Sequence, residues 1–500
     1  MGNKRQSRKI TSDTPRQDAF DAAWAKYRPL VPDEELPALE ESLHKPLLQA
    51  FRLNPLKSDE QSLEEMSARY GWTLETIDFC PEGRKVQSAQ VLPSMTNEHR
   101  MGHYYIQDSA SMMPVTLFDP VRLEKKPLML DLAASPGGKT THLVGRSMDR
   151  GLVIANDSGP SRIPALKSVL KNWGSVNHAV TQFPGESFGD WFPDTFDLIL
   201  LDAPCSMQSL VSLDSHPMRP ITEREEKALA RRQTLLLQSA LKALRPRGQI
   251  VYSTCTLSPD EDEAVVDAIL KTFPGKVRVS DAAKRIPRPA PGITSAYGQV
   301  FDEAVKGAVR LWPHRYNTAG FFACLMEKTD LFENAGSGNA GAVPMRSWDK
   351  SSFSAVKPAE AMELEAFLND QMGLSLREIC DAQGSVLMSR SNGSEFWMVP
   401  ERFLESFSSL PCKTVGIKIA TKTTGGFVPD NDWICRFFRL TSGIRIVPEA
   451  EQQAQWLQGA DIRSDTAMLP RGAIIMILDD HQVFLGCGKV SGDRIRNFNK

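Results

Sequence analysis

The sequence predicts a doubly wound α/β sheet with an α+β extension ahead of it and smaller modules behind it. Three observations carry this. The stretch FDLILLDAPCS at 196–206 sets Leu198, Ile199, Leu200 and Leu201 in one run, the pattern of a strand buried on both faces. Strand-like and helix-like segments alternate from about 127 to 328, as a parallel sheet with crossover helices requires. Four apolar segments end in polar residues: 128–130 runs into Asp131, 152–155 into Asn156 and Asp157, 196–201 into Asp202 and Cys205, and 249–253 into Thr254 and Cys255. Ligands of open α/β sheets bind beyond the carboxyl ends of the strands, so these residues are expected on one active rim.

Length leaves room for about three domains. With 41% hydrophobic and 24% charged residues, the composition is that of an ordinary globular protein. Lys+Arg 59 against Asp+Glu 61 leaves a net charge of −2, so no global basic field marks a nucleic-acid binder, although a local stripe suffices. The densest basic cluster lies in 1–16, with Lys4, Arg5, Arg8, Lys9 and Arg16 against Asp13, and reads as a disordered tail. No run approaches the roughly 18 apolar residues of a membrane span, no apolar signal core opens the chain, and Gln6 breaks the myristoylation pattern. Eight cysteines (80, 205, 255, 324, 380, 412, 435, 487) contain no Cys-x-x-Cys pair. Neither a disulfide framework nor a metal site is therefore expected, and a cytoplasmic monomer with reduced thiols is.

Residues 17–126 read as a mostly helical extension around one small sheet. Ala22–Arg28 suits a helix, Leu36, Leu39 and Leu43 share a helical face before Pro46, and 71–79 alternates loosely. Arg52, Asn54 and Lys57 fall on a short extended piece and are expected as solvated residues of an edge strand. Within 127–330, Thr222 and Glu225 form a capping box opening a leucine-rich helix stopped by Pro246 and Gly248. Ser258 and Glu261 form a second box, with Pro259 at the first helical position. The span 287–292 must be loop, and 310–327 reads as a closing hairpin turned by 317–320. Residues 331–344, with NAGSGNAG at 334–341, have linker composition, and a further domain is expected at 345–440. Short strands at 473–478 and 483–486, with Lys489, Arg494, Arg496 and Lys500, leave 441–500 as a small β-barrel touching nucleic acid or a plain structural appendage.

The turn after the first core strand, Ala133, Ala134, Ser135, Pro136, Gly137, Gly138 and Lys139, lets backbone amides approach a ligand closely. A phosphate loop would need glycine where Ala133 stands, which argues against a nucleoside triphosphate. Asp157 ends the next strand 26 residues after Asp131 (157 − 131), a position from which it could accept ribose hydroxyls or merely cap a helix. Turn and acid together favour an adenosine-type cofactor. A lone cysteine is mostly an inert small hydrophobe. Two at one rim, Cys205 and Cys255, with Asp202 beside the first, are harder to read that way. Cys255 precedes the expected Ser258 cap by three residues, where a helix dipole would favour thiolate. Asp260, Glu261, Asp262 and Glu263 would oppose it unless they face solvent.

DLAASPGGKT at 131–140, LDAPCS at 201–206 and YSTCTL at 252–257 together resemble the Nol/Nop/Sun family of RNA cytosine-5 methyltransferases. The likeness continues in YIQDSASM at 105–112 and GFFA at 320–323. It implies a Rossmann-like class I methyltransferase sheet, an RNA-binding extension at 17–126 and a PUA-like β-barrel at 441–500. It also implies S-adenosylmethionine as cofactor, held by Ala133–Lys139, Asp157 and Asp202. By the same resemblance Cys255 would add to carbon 6 of a cytosine so that carbon 5 takes the methyl group. Asp202 would hold the pyrimidine edge, and Cys205 would assist breakdown of the adduct. The base must be unstacked to be reached. Small-subunit (16S) ribosomal RNA, free or in the small ribosomal subunit, is the expected partner, with no membrane.

Two departures stand out. The family usually follows the first cysteine motif with glycine, an acid and glycine, where this chain has Met207, Gln208 and Ser209 after Ser206. An aspartate expected near the third strand is replaced within 182–185, QFPG. The altered loop keeps two rivals open: an RNA-binding ribosome assembly factor without turnover, and a cytosine-5 methyltransferase acting on tRNA or DNA. In a DNA-type enzyme Cys205 would be the nucleophile.

Overall fold

The computed structural model describes residues 21, 24–209, 221–288, 290–332, 342–345, 353–463 and 468–498. The basic tail at 1–16, the glycine-rich stretch 334–341, the start of the Ala22 helix and Lys500 lie outside them. Leu36–Leu43 forms the expected helix, burying Leu39 and Leu43. Four antiparallel strands follow: β1 (Ala50–Leu53), β2 (Thr73–Ile77), β3 (Cys80–Ser88) and β4 (Tyr104–Ile106), in the order β2-β3-β1-β4.

β1 is thus internal, and the edge-strand expectation for Arg52, Asn54 and Lys57 fails: all three are buried. Burial is possible because each meets acceptors of the neighbouring domain. Asn54 donates to the carbonyls of Gly102 (2.7 Å) and Trp173 (2.9 Å), and Lys57 to those of Met101 and Asn172 (both 2.7 Å). Asn172 and Trp173 close the helix Ile163–Trp173, so the two side chains satisfy its orphan carboxyl-terminal carbonyls. Arg52 donates to Gly138 O (2.9 Å), Thr141 Oγ1 (2.8 Å) and Gln107 Oε1 (3.3 Å), with its guanidinium over the Trp173 ring.

The central sheet contains β5 (Leu128–Asp131), β6 (Leu152–Asn156), β7 (His178–Thr181), β8 (Phe196–Asp202), β9 (Leu244–Thr254), β10 (Val277–Val279) and, after the two-residue hairpin strands β11 (Ser295–Ala296) and β12 (Gln299–Val300), β13 (Val309–Leu311) and β14 (Phe321–Lys328). β9-β8-β5-β6-β7 run parallel, and β14 joins β9 antiparallel with β10 and β13 beside it. Strand pleating sends Met129, Val153 and Leu200 to one apolar cluster and Leu128, Leu130, Ile154 and Leu201 to the other. Each such side chain contributes about 1.5–3 kcal/mol on burial. The chain reverses direction across the sheet between β5 and β8, so Asp131 and Asp202 flank the switch point.

The Thr222 capping box opens the helix Glu223–Ala243, as its sequence implies. That helix stops before Pro246, because β9 begins at once at Leu244. The second box fails: the helix starts at Glu263, and 259–262 is turn. The Ser258 hydroxyl is drawn instead to Glu226, and Glu261 is taken by other partners.

Thr414–Val415 pairs antiparallel with β7, so a segment from beyond 345 covers the far edge of the central sheet. Carboxyl-terminal strands Arg445–Ile446, Ile462–Arg463, Ile474–Leu478, Phe484–Ser491 and Arg494–Asn497 form a separate five-stranded sheet around Trp456, Ile475, Ile477 and Ile495. Among the described residues no helix is long and apolar enough to cross a membrane.

Candidate active site

Parallel pairing sets the strand ends side by side: Asp131 opposite Leu200, and Asp202 opposite Ser253. Two loops then bring Cys205 and Cys255 together, with sulfurs 3.0 Å apart. Lys139, in the first turn of the helix Gly138–Arg146, pairs with Asp202 Oδ2 at 2.7 Å, and Ser253 Oγ donates to Asp202 Oδ1 at 2.8 Å. The carboxylate is therefore held from both sides. Burial works against the Lys139 ammonium, but Asp202, with Cys255 and Asp131 nearby, outweighs it and its pKa lies above the usual lysine value. The hydrogen bond to Cys255, then burial, pushes the Cys205 thiol well above the usual range. The two sulfurs thus lie within hydrogen-bond distance, and either can donate to the other.

Glu261 ties the two cysteine loops together. It accepts from Ser206 N (3.0 Å), from the Ser206 hydroxyl, and from Gln233 Nε2 (2.8 Å), which also donates to Pro204 O at 2.9 Å. Thr256 Oγ1 lies 3.2 Å from Ser206 Oγ, placed to donate to it. Glu261, Asp262 and Glu263 are fully buried rather than solvent-facing, and the helix dipole expected at Cys255 begins eight residues later, at Glu263 (263 − 255). Both corrections share one cause. The acids have internal partners, and those partners hold 259–262 out of the helix. Met207, the first residue after the cysteine motif, adopts φ 60°, a left-handed conformation that glycine takes more readily.

A cavity of about 240 Å³ opens at the switch point. Ala133, Ala134, Ser135, Pro136, Gly138, Lys139, Asp131 and Asp202 line one side, and Tyr105, Gln107, Asp108 and Ser111 of the amino-terminal extension line the other. Gly137 shapes the turn with φ 116°, and a Cβ on Gly138 would lie 2.9 Å from the Tyr105 ring. Asp157 does not line the cavity. Its carboxylate accepts from Ser135 N (3.2 Å) and Gly159 N (2.8 Å) and pairs with Arg162 (2.8 Å), so it braces the turn from behind. Asp131 has the opposite character. Thr140 donates to its Oδ2 at 2.6 Å, while Oδ1 is buried with no partner. Burial pushes its carboxyl up to about 7, against the Thr140 hydrogen bond and reinforced by Asp202. A carboxylate with one unpartnered oxygen at the wall of a cavity suits a ligand that carries positive charge, as S-adenosylmethionine does.

Asp131 was expected on the rim but given no role, and Tyr105, Gln107, Asp108, Ser111 and Glu261 were not singled out from sequence as site residues. YIQDSASM was visible as a motif, but nothing local showed that a separate small sheet folds onto the glycine turn.

Sheet order, glycine turn and cavity define a Rossmann-like, S-adenosylmethionine-dependent methyltransferase. Residues 116–327 match the family model of the 16S rRNA methyltransferase RsmB/F, and 21–109 that of the N-terminal domain of 16S rRNA methyltransferase RsmF. The ribosomal RNA small subunit methyltransferase F of Aeromonas hydrophila is 30% identical over 91% of this chain and 91% of its own. That of Shewanella oneidensis is 29% identical over 91% and 90%. A methyltransferase homologue crystal structure from Pyrococcus horikoshii, 29% identical, superposes with a TM-score of 0.52 over 62% of this chain and 93% of that one. The chain belongs to the ribosomal RNA small subunit methyltransferase F family.

Proposed function

We propose that the protein methylates carbon 5 of a cytosine in RNA, with small-subunit (16S) ribosomal RNA as substrate. The observation that carries this reading is the pair of cysteine sulfurs 3.0 Å apart beside a fixed carboxylate. S-adenosylmethionine, when bound, supplies an electrophilic methyl group; Ala133–Lys139 and Asp131 are the residues to hold it. Cys255, as the thiolate with its proton given up to solvent, adds to carbon 6 of the base and makes carbon 5 nucleophilic. Asp202, fixed by Lys139 and Ser253, holds the pyrimidine edge. Once carbon 5 has taken the methyl group, a base removes the carbon 5 proton and the electron pair left behind expels the Cys255 sulfur from carbon 6 as thiolate; the Cys205 sulfur, itself as thiolate, is the neighbouring group to take that proton.

RNA contact is supported at the carboxyl-terminal sheet, which we read as PUA-like. Arg463 lies opposite Arg494, and Lys489 opposite Arg496, all on the face away from the Ile462–Ile495 core. Like charges directly opposed on a sheet destabilise it, so the arrangement favours a surface that meets phosphates.

The test is mass spectrometry of nucleosides after incubation with labelled S-adenosylmethionine. Unmodified 16S rRNA, small subunits, tRNA and DNA serve as separate substrates. Labelled 5-methylcytosine in the rRNA arms is expected. Label on another atom, or only in tRNA or DNA, would overturn the reading, and RNA binding without any label would favour the assembly factor.

Asp131 predicts a pH dependence. A carboxyl titrating at about 7 must release its proton to meet a cationic ligand. Cofactor affinity measured by calorimetry should therefore fall below pH 7, by up to about tenfold per pH unit. Asp131→Asn should bind more weakly at pH 8 and show a flatter profile. A flat wild-type profile would remove Asp131 from the cofactor site.

A further inference from the structure

Outside the active site, Cys80, Glu82 and His142 converge where β3 meets the helix Gly138–Arg146, with one ligand atom of each within 4.8 Å of the others. Cys80 Sγ is 3.5 Å from Glu82 Oε2, and His142 Nε2 is 3.9 Å from the same oxygen. Zinc–sulfur bonds of about 2.3 Å and zinc–nitrogen or zinc–oxygen bonds of about 2.0 Å give a tetrahedron with edges of about 3.3–3.5 Å, so the sulfur–carboxylate edge already fits and the imidazole must move inward to complete a coordination shell. His142 is 1% exposed, and neither ring nitrogen has a hydrogen-bond partner. A fully buried imidazole is normally satisfied on at least one nitrogen. Here Nε2 lies 3.9 Å from the carboxylate oxygen that Cys80 also faces.

The surrounding charges are compatible with a cation. Arg146 approaches the other carboxylate oxygen, Glu82 Oε1, at 3.9 Å, which leaves Oε2 to the cluster. Arg52 is engaged with Gln107, Gly138 and Thr141, while burial and Glu82 push the Cys80 thiol up, so an arriving metal ion must displace the thiol proton as it binds. Thiolate and carboxylate together neutralise a divalent ion, and a thiolate, imidazole and carboxylate set suits zinc. No spacing rule reveals it in the sequence, because the third ligand lies 60 residues beyond the second on another element (142 − 82).

We propose that Cys80, Glu82 and His142 bind a zinc ion, with water as fourth ligand, clamping the amino-terminal sheet to the helix that presents Gly138 and Lys139. The test uses the full chain with Cys205 and Cys255 both changed to serine, which removes the other close pair of thiols. It is equilibrated with zinc, dialysed, and its metal measured by inductively coupled plasma mass spectrometry; a parallel sample receives cobalt. One zinc per chain is expected, together with a thiolate–cobalt charge-transfer band and a melting temperature raised by zinc. His142→Gln and Cys80→Ser should each lose the metal and the zinc-dependent shift. A parent that retains no zinc and shows no cobalt band overturns the proposal, as does full zinc retention in both variants. If Cys80→Ser does not fold, His142→Gln and the parent's cobalt spectrum decide the matter.

Discussion

Cys255→Ala is expected to abolish 5-methylcytosine formation, with a loss of roughly 10⁴-fold or more, if Cys255 is the proposed group that activates carbon 5. Cofactor binding should be unchanged, since Cys255 does not line the cavity. Cys205→Ala should fail differently. Its sulfur lies 3.0 Å from Cys255 on the side where the adduct must be undone, so the variant should still attack the base and then stall. Incubation with RNA and S-adenosylmethionine, followed by a denaturing gel, should show a retarded protein–RNA band with Cys205→Ala and none with Cys255→Ala. A retarded band with Cys255→Ala would exchange the two roles and favour the DNA-type arrangement.

The parts of this site legible in sequence are those set by local pattern. β8 is a continuous apolar run because it is buried on both faces, and the residue that ends such a strand must arrive at the rim. The glycine turn is legible because backbone approach demands it. Illegible parts depend on partners far along the chain. Arg52 and Lys57 look solvated until the carbonyls of Gly138 and Asn172 are seen to receive them. Ser258 and Glu261 have the spacing of a capping box, yet Glu226 and Ser206 compete for them and win. Asp157 stands at the expected strand end, but its contacts to Ser135 N and Arg162, five residues on, could not be read from the sequence. Met207 shows why glycine is usual after the cysteine motif: its φ of 60° costs a non-glycine residue about 1–2 kcal/mol.

The segment that holds Cys255 depends most heavily on Arg310, and its loss should give the largest effect on stability. Arg310 is fully buried and forks onto Glu263, with Nε to Oε1 at 2.7 Å and Nη2 to Oε2 at 2.9 Å. It also reaches Asp262 at 3.3 Å and donates to Leu257 O at 3.2 Å, two residues from Cys255. Arg310→Met would leave two carboxylates in an apolar interior without their cation, a change that costs about 3–5 kcal/mol. At domain size this corresponds to a melting temperature lower by roughly 10 °C. The pH dependence has a definite sign. Burial already holds Asp262 well above the ordinary carboxylate range despite Arg310, and the variant would raise it further. A carboxyl with a raised pKa in the folded state keeps a proton that the unfolded chain has released, so stability falls as pH rises from about 4 through the folded value. Arg310→Met should therefore be closer to wild type at pH 5 than at pH 8 in thermal melts. Equal deficits at both pH values, or a shift of only a degree or two, would mean that Asp262 and Glu263 find other compensation and that Arg310 does not hold the Cys255 loop.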